Sequence, residues 1–479
     1  MLNEEKLHAY QREGIRWLKQ RKRAVLADEM GLGKTVQVLG VLEPQDRVLV
    51  VCPKSCKGVW REQVHRWLGE KAILTGDTPA QRACAYSDFR NGKARFLVVG
   101  YEQLRMDVDE VSKLSIDAVV FDEAHKIKNH RTKSFKACRL LSNRLQKARI
   151  HLLTGTPIMN RASEVWTLLH ICDPKKFNSY WNWVYAHLKV EVLRYPGLPE
   201  FRKVGPPKDF AKFRAMLEPY VLRREAEGLL DLPPIVEQEV GLIMDKGQRR
   251  LYESMKKKWF VELANSRVIP ATTVLARLTR LRQICVDPWL LEVTDDRGEP
   301  LDDGTSDGTP DAKPAPKDDS GIEKSCKLEW LKDVLEDGEP TVVFTSFASI
   351  IPKIVRILKN DTNCVVIEGQ MDSKSRLESI EKFQFGESNC IIVSTQAGAE
   401  GVSLTNASRV VFLDLPWNPA LLDQAKARVY RQGQTRKVRV FYPYCADTVE
   451  LKIDRMIREK RLLFEKSVPT DDVRRLLED

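Results

Sequence analysis

Asp28-Glu29-Met30-Gly31-Leu32-Gly33-Lys34-Thr35 is the stretch on which the fold turns. The apolar run Ala24–Ala27 precedes it and the helix-like stretch Lys34–Leu42 follows. A strand that breaks into a glycine turn and then a helix turns backbone N–H groups toward an anion, and the helix dipole favours negative charge there. The pattern predicts Lys34 on the outer phosphates of a nucleotide and Thr35 on magnesium. The general phosphate-loop pattern has a glycine five residues before its second glycine, and Asp28 stands in that place. The loop instead has a shorter form, with Gly31 and Gly33 flanking one residue.

Working outward, Ala24–Ala27, Arg47–Cys52, Phe96–Gly100, Ala118–Phe121 and His151–Leu153 read as buried strands, with Ser55–Leu68 among the helices between them. That alternation predicts an α/β fold with a parallel sheet covered on both faces. Asp122-Glu123-Ala124-His125 follows one such strand, at the edge where parallel sheets bind ligands. Asp122 can hold magnesium and Glu123 can polarise an attacking water. Leu153-Thr154-Gly155-Thr156-Pro157 ends another strand, with hydroxyls suited to coupling nucleotide state to the fold.

The rhythm recurs later. Thr341–Thr345, Cys364–Ile367, Cys390–Ser394, Arg409–Leu413 and Val438–Tyr442 predict a second parallel sheet. Between the two sheets, residues 174–230 read as a helical insertion whose aromatics, Tyr180, Trp181, Trp183 and Tyr185, belong to a core. Gln248–Lys258 and Thr272–Ile284 read as helices, and residues 294–323 as an acidic, flexible loop. The expected organisation is a first lobe over 1–172, an insertion and linker over 173–230, and the start of a second lobe over 231–293. The acidic loop, the rest of the second lobe over 324–448 and a helical tail over 449–479 follow. Arg428 and Arg431, in Gln424-Ala-Lys-Ala-Arg-Val-Tyr-Arg-Gln-Gly-Gln434, are three apart, so a helix would put both on one face.

Bulk composition sets outer limits. Charged residues make up 30% of the 479 and the formal charge is +11, which suits a polyanionic partner. The ten cysteines are scattered without a zinc-ligand spacing and read as free thiols. The N-terminus lacks a signal-peptide pattern and no apolar run approaches the ~20 residues that span a bilayer. A soluble intracellular protein is expected, cytoplasmic in a prokaryotic or virus-infected host, with the nucleus as the alternative; the basic run Lys19–Arg23 can mimic a nuclear signal but reads as part of the first helix region.

In this order the motifs resemble the SWI/SNF-like ATPases of helicase superfamily two. The resemblance adds Tyr10-Gln11-Arg12-Glu13-Gly14, similar to an adenine-recognising glutamine motif, and Val50-Val51-Cys52-Pro53-Lys54-Ser55. It further includes Val99–Glu102, the linking segment from Leu222-Arg223-Arg224 to Leu232-Pro233-Pro234, Val343–Phe347 and Ser394–Gly401. It implies two RecA-like lobes with helical insertions between and within them, using ATP and magnesium. By resemblance Gln11, Asp28, Gly31, Gly33, Lys34, Thr35, Asp122 and Gln424 serve the nucleotide, with Thr35 and Asp122 on the metal. Glu123, Arg428 and Arg431 are the implied catalytic groups, the arginines reaching from the opposite lobe. His125, Thr154, Gly155 and Thr156 would couple, and Lys54, Ser55, Tyr101, Gln103, Ser346, Thr395, Gly398 and Gly401 would contact DNA.

The expected activity is DNA-stimulated ATP hydrolysis driving a monomer along duplex or branched DNA without sequence preference. One alternative is a strand-separating or annealing helicase on forked DNA. Another is a nucleotide-switched DNA clamp with little turnover, against which Glu123, Arg428 and Arg431 argue.

Overall fold

The computed structural model describes residues 5, 7–155, 162–193, 200–226, 228–229, 232–264, 268–293, 325–358, 363–369, 371–398, 403–458 and 467–469. The chain divides into two compact units, Met1–Asp231 and Leu232–Asp479. In the first, the strands are β1 (Arg23–Leu26), β2 (Val48–Cys52), β3 (Ala72–Leu74), β4 (Phe96–Gly100), β5 (Ala118–Phe121), β6 (Arg149–Leu153), β7 (Leu188–Leu193), β8 (Phe201–Pro207) and β9 (Val221–Leu222). In the second they are β10 (Ile235–Leu242), β11 (Val268–Pro270), β12 (Thr341–Thr345), β13 (Cys364–Ile367), β14 (Cys390–Ser394), β15 (Arg409–Phe412), β16 (Val438–Cys445) and β17 (Ser467–Pro469).

The first unit holds a seven-stranded sheet in the order β3-β4-β2-β5-β6-β1-β9, every pairing parallel. The second holds a six-stranded parallel sheet, β10-β16-β15-β12-β14-β13. Each sheet is buried on both faces because its strands are apolar at successive positions, not alternate ones. In the first, Leu49, Val51, Val119 and Phe121 enter one core, while Val48, Val50, Ala118 and Val120 enter another on the opposite face. In the second, Val342 and Phe344 face one core and Val343 the other. These are the two RecA-like parallel-sheet units that the sequence predicts.

Some elements escape the sequence reading. Residues 174–230 contain the helices Tyr180–His187 and Phe210–Leu217, but also the antiparallel hairpin β7–β8. The alternation in Leu188-Lys-Val-Glu-Val-Leu193 is a strand signal that the neighbouring aromatics obscure. Trp183 is in the core as expected, whereas Tyr185 is 43% exposed. β10 runs in register with β16 over its whole length, and its polar pattern befits an edge strand. The helix after the phosphate loop spans only Lys34–Leu39, and Gly40 follows as its cap. Among the described residues no helix is long and apolar enough to cross a membrane. The expected acidic loop, 294–323, lies outside the described residues.

His151, on β6 between β1 and β5, is fully buried. Its Nε2 lies 3.4 Å from the Arg21 carbonyl. Burial pushes its pKa down to about 4, so the ring stays neutral in the fold while the unfolded chain takes up the proton first. The stability this supplies is complete above about pH 6.5 and is lost as pH falls toward 4, a drop of about 3 kcal/mol. His151→Leu should remove that slope from urea unfolding measured across pH 6.5–4, and an unchanged slope would contradict the assignment.

Candidate functional site

In the first unit the candidate groups other than Gln11, which lies on the helix Ala9–Lys19, follow the carboxyl ends of β1, β2, β4, β5 and β6. Parallel pairing makes this unavoidable, since every such end lies on the same edge of the sheet. Gly31 and Gly33 have φ of +88° and +71°, the left-handed region in which a side chain is strained. A Cβ on Gly33 would also lie 2.5 Å from Gln11 Nε2. Lys34 Nζ donates to the carbonyls of Asp28 (2.9 Å) and Glu29 (3.3 Å), so the ammonium is folded back across its own loop.

Asp28 is fully buried, and as placed its carboxylate anchors the loop. It accepts from Gln37 Nε2 at 3.0 Å and from two guanidinium nitrogens of Arg224, at 3.1 and 2.5 Å. Gln11 is buried as well. Its Oε1 accepts from the His8 N–H and its Nε2 donates to the Leu32 carbonyl at 3.3 Å. As placed, its amide supports the loop, and contact with a base would require it to exchange one of these bonds.

Asp122 accepts from Trp60 Nε1 at 2.7 Å and from the Glu123 N–H at 2.9 Å. Burial, and then the neighbouring Glu123 charge, push its pKa up to about 6. The Lys34 ammonium opposes this, which places it within electrostatic reach. Glu123 has φ +48° and ψ +50°, a strained backbone for a glutamate and one that occurs preferentially at functional sites. Its Oε2 lies 3.1 Å from His125 Nδ1. Two crowded carboxylates facing an ammonium and a hydroxyl-bearing loop suit a divalent cation, and Thr35 and Asp122 are the oxygen donors of the kind magnesium takes.

Thr154 is buried, and its N–H donates to the Leu26 carbonyl at 3.1 Å, tying β6 to the strand before the loop. A Cβ on Gly155 would lie 2.7 Å from Met30 and 3.6 Å from Lys34 Nζ, so this glycine packs directly on the loop. Thr156 lies outside the described residues.

The remaining candidates separate by burial. Lys54 and Ser55 are exposed, with Lys54 3.0 Å from Asp77. Tyr101 and Gln103 are buried. Tyr101 donates to the Asp122 carbonyl at 2.8 Å. Gln103 accepts from the Gly100 N–H and Thr75 Oγ1, and donates to the Gly76 carbonyl. As placed, both residues position loops.

In the second unit Ser346 and Thr395 follow β12 and β14. The Ser346 N–H and Thr345 hydroxyl donate to the buried Asp414, while Ser346 Oγ and Thr395 Oγ1 are enclosed without a partner among the described residues. Gly398 ends the short helix Thr395–Gly398, and Gly401 lies outside the described residues. Gln424 is buried with Nε2 unpartnered among the described residues.

Arg428 lies on the helix Pro419–Val429, but Arg431 is beyond its end. The shared helical face expected from their spacing is therefore not how the two come together. The chain leaves the helix at Val429 and turns, with the Gln434 N–H donating to the Arg431 carbonyl at 3.0 Å. The buried Gln434 side chain closes this turn through the Thr405, Ala407 and Val429 carbonyls. The arginines are still neighbours, since burial and then the Arg428 charge hold the Arg431 pKa down to about 10. Among the described residues no carboxylate pairs with Arg431. Arg224, Gln37, Trp60, Asp414 and Gln434 carry much of this architecture. Of these, only Arg224 and Gln434 stand in motifs visible in the sequence, and neither motif discloses a partner.

A phosphate loop on one parallel sheet, with acidic and glycine-bearing loops on the same edge, and a second RecA-like unit bearing an arginine pair define a nucleotide-binding motor core. Comparison with known proteins narrows this. The SNF2-related domain family matches residues 10–290 and the helicase conserved C-terminal domain matches residues 326–433. The chain belongs to the SNF2-related, SWI/SNF-type ATPase family of helicase superfamily two.

A CHD3-type chromatin-remodeling factor, CHR7, of Arabidopsis thaliana is 28% identical, over 95% of this chain and 37% of its own length. The putative ATP-dependent helicase/translocase YwqA of Bacillus subtilis is 27% identical, over 97% of this chain and 49% of its own. The chain thus spans less than half of either relative. The Sulfolobus solfataricus SWI2/SNF2 ATPase core, solved in complex with dsDNA, is 27% identical with a TM-score of 0.42, covering 96% of this chain and 92% of that one.

Gly33→Ala places a methyl group against Gln11 in a disfavoured backbone region. It should weaken binding of a fluorescent ATP analogue on the order of tenfold, about 1.4 kcal/mol. Parental affinity would show that the loop does not need the left-handed glycine.

Proposed function

We propose that the protein hydrolyses ATP, with magnesium, to drive movement along duplex DNA without necessarily separating its strands. The observation that carries this reading is Glu123: a carboxylate on a strained backbone, beside Asp122 and on the same sheet edge as the Lys34 loop. A clamp needing only to bind nucleotide would have no use for that strain. In this reading the Gly31–Gly33 turn and Lys34 bind the phosphates. Thr35 and Asp122 hold the magnesium, which neutralises phosphate charge when bound. Glu123 orients the water and takes its proton, with His125 fixing the carboxylate.

Arg428 and Arg431 supply positive charge from the second unit. The Arg431 guanidinium, largely buried and with no carboxylate paired to it among the described residues, is costly to retain unless an anion completes it, and a transferring phosphoryl group is such an anion. Dependence of that contact on the γ-phosphate gives hydrolysis a mechanical consequence. Gln424, buried beside them in the sequence, would serve the same nucleotide-facing surface.

For DNA, exposed Lys54 and Ser55 supply a charge and a hydroxyl for phosphate. In the second unit the hydroxyls of Ser346 and Thr395, which have no partner among the described residues, and the backbone N–H groups of Gly398 and Gly401 would serve the phosphates. Contacts of this kind read the backbone and not the sequence, and weaken steeply with salt. Tyr101 and Gln103 act behind this surface by holding its loops. A monomer suffices for the mechanism.

Glu123→Gln should bind ATP yet hydrolyse it at least a hundredfold more slowly in a coupled ATPase assay, and parental turnover would remove the assigned role. Arg431→Ala should cut turnover strongly, since an arginine finger is worth ~10³–10⁵ in rate. A loss below about tenfold would return Arg431 to a structural role. Triplex displacement with no unwinding of a forked duplex is the expected outcome for the parent protein. Unwinding would instead select the strand-separating helicase.

A further inference from the structure

The phosphate loop is tied to the segment that leads out of the first unit, and one side chain makes most of the tie. Arg224 lies just after β9 and seven residues before the boundary between the units. Its side chain is 14% exposed, and the guanidinium grips Asp28, which is fully buried, through two nitrogens. The same group donates to Gln37 Oε1 at 2.7 Å and to the Tyr10 carbonyl, and lies over the Tyr10 ring at 5.5 Å. Four elements therefore meet on one planar cation: the glutamine motif, the phosphate loop, the helix after it and the outgoing segment.

The backbone reinforces this connection. The Ala27 N–H donates to the Leu222 carbonyl (2.7 Å), the Glu29 N–H to the Arg224 carbonyl (2.8 Å) and the Ala226 N–H to Glu29 Oε2 (2.6 Å). At the loop's tip, the Leu32 carbonyl accepts from both Gln11 and Gln37. Gln37 thus touches the residue next to Gly33 with its amide N–H and Arg224 with its oxygen. These contacts connect the tip, through one amide, to the guanidinium and from there to residues 221–226.

Resting on the proposed ATP-dependent function, we infer that Arg224 is a positioning residue that transmits occupancy of the phosphate loop to the segment joining the two units. The fork geometry matters. An ammonium can pair with Asp28 but cannot span Asp28, Gln37 and the Tyr10 carbonyl together. The pair also accounts for Asp28, and not glycine, at this place in the loop: a glycine there would leave the guanidinium only the exposed Glu13 carboxylate, 3.7 Å away, as counter-charge.

Hydrogen exchange of the full chain with and without a non-hydrolysable ATP analogue tests this, with analogue binding measured separately. In the parent protein the analogue should slow exchange across Val221–Ala226 by at least fivefold. Arg224→Lys should still bind the analogue and lose that response, a result that a merely structural bridge would not give. Should this variant fail to keep the parental melting temperature, the neutral pair Asp28→Asn with Arg224→Gln takes its place, with the same loss expected. An undiminished response in the variant, with parental binding, overturns this inference alone. A parent that binds no nucleotide overturns the proposed function and this inference with it.

Discussion

Parallel pairing is the constraint from which the rest of the molecule follows. Strands that all run one way must place all their outgoing loops on one edge. In each unit this gathers chemically unlike loops that are far apart in sequence. In the first unit it brings Asp28, Asp122 and Thr154 within the reach of one loop lysine's surroundings. The cost is a backbone whose strands are buried on both faces, and the continuous apolar runs of β2, β5, β12 and β14 meet it.

Electrostatics then decides what each loop can do. Asp28 and Asp122 are both carboxylates in the same loop cluster, yet their surroundings give them different roles. Asp28 is neutralised by a guanidinium and fixes structure. Asp122 is buried with a like charge next to it, and these outweigh the hydrogen bonds from the Trp60 indole and the Glu123 N–H and the Lys34 ammonium, so its charged form is harder to keep than an ordinary aspartate's until a cation arrives. Arg431 mirrors this in the second unit, as a cation kept near another cation with no carboxylate paired to it among the described residues. Unbalanced groups of both signs are expensive to retain, which suits a site completed by a charged ligand.

Much of this was legible in the sequence because it depends on local pattern. Gly31 and Gly33 announce a left-handed turn, and the apolar runs locate both sheets to within a residue or two at most strands. What was illegible depends on contacts across the chain. Nothing local to Asp28 names Arg224 as its partner, 196 residues away. Tyr101 and Gln103 resemble surface contacts by motif, yet their burial is set by Asp122 and Thr75. Arg431 escaped for a different reason, since three-residue spacing implies a common helical face only if the helix continues, and it stops at Val429. The hairpin β7–β8 and edge strand β10 were hidden because their polar alternation is weak beside the aromatics and charges around them.

If ATP turnover is spent on movement along duplex DNA, the ATPase rate depends on duplex length, and that dependence is the most direct test. Blunt linear duplexes from about one to ten helical turns would be compared at equal total base pairs, at saturating ATP and one salt concentration. A translocase spends more of each encounter stepping as the track lengthens, so the rate per bound protein should rise with length and then level off. A rate stimulated by DNA but independent of its length would contradict movement and leave a DNA-switched ATPase that stays where it binds.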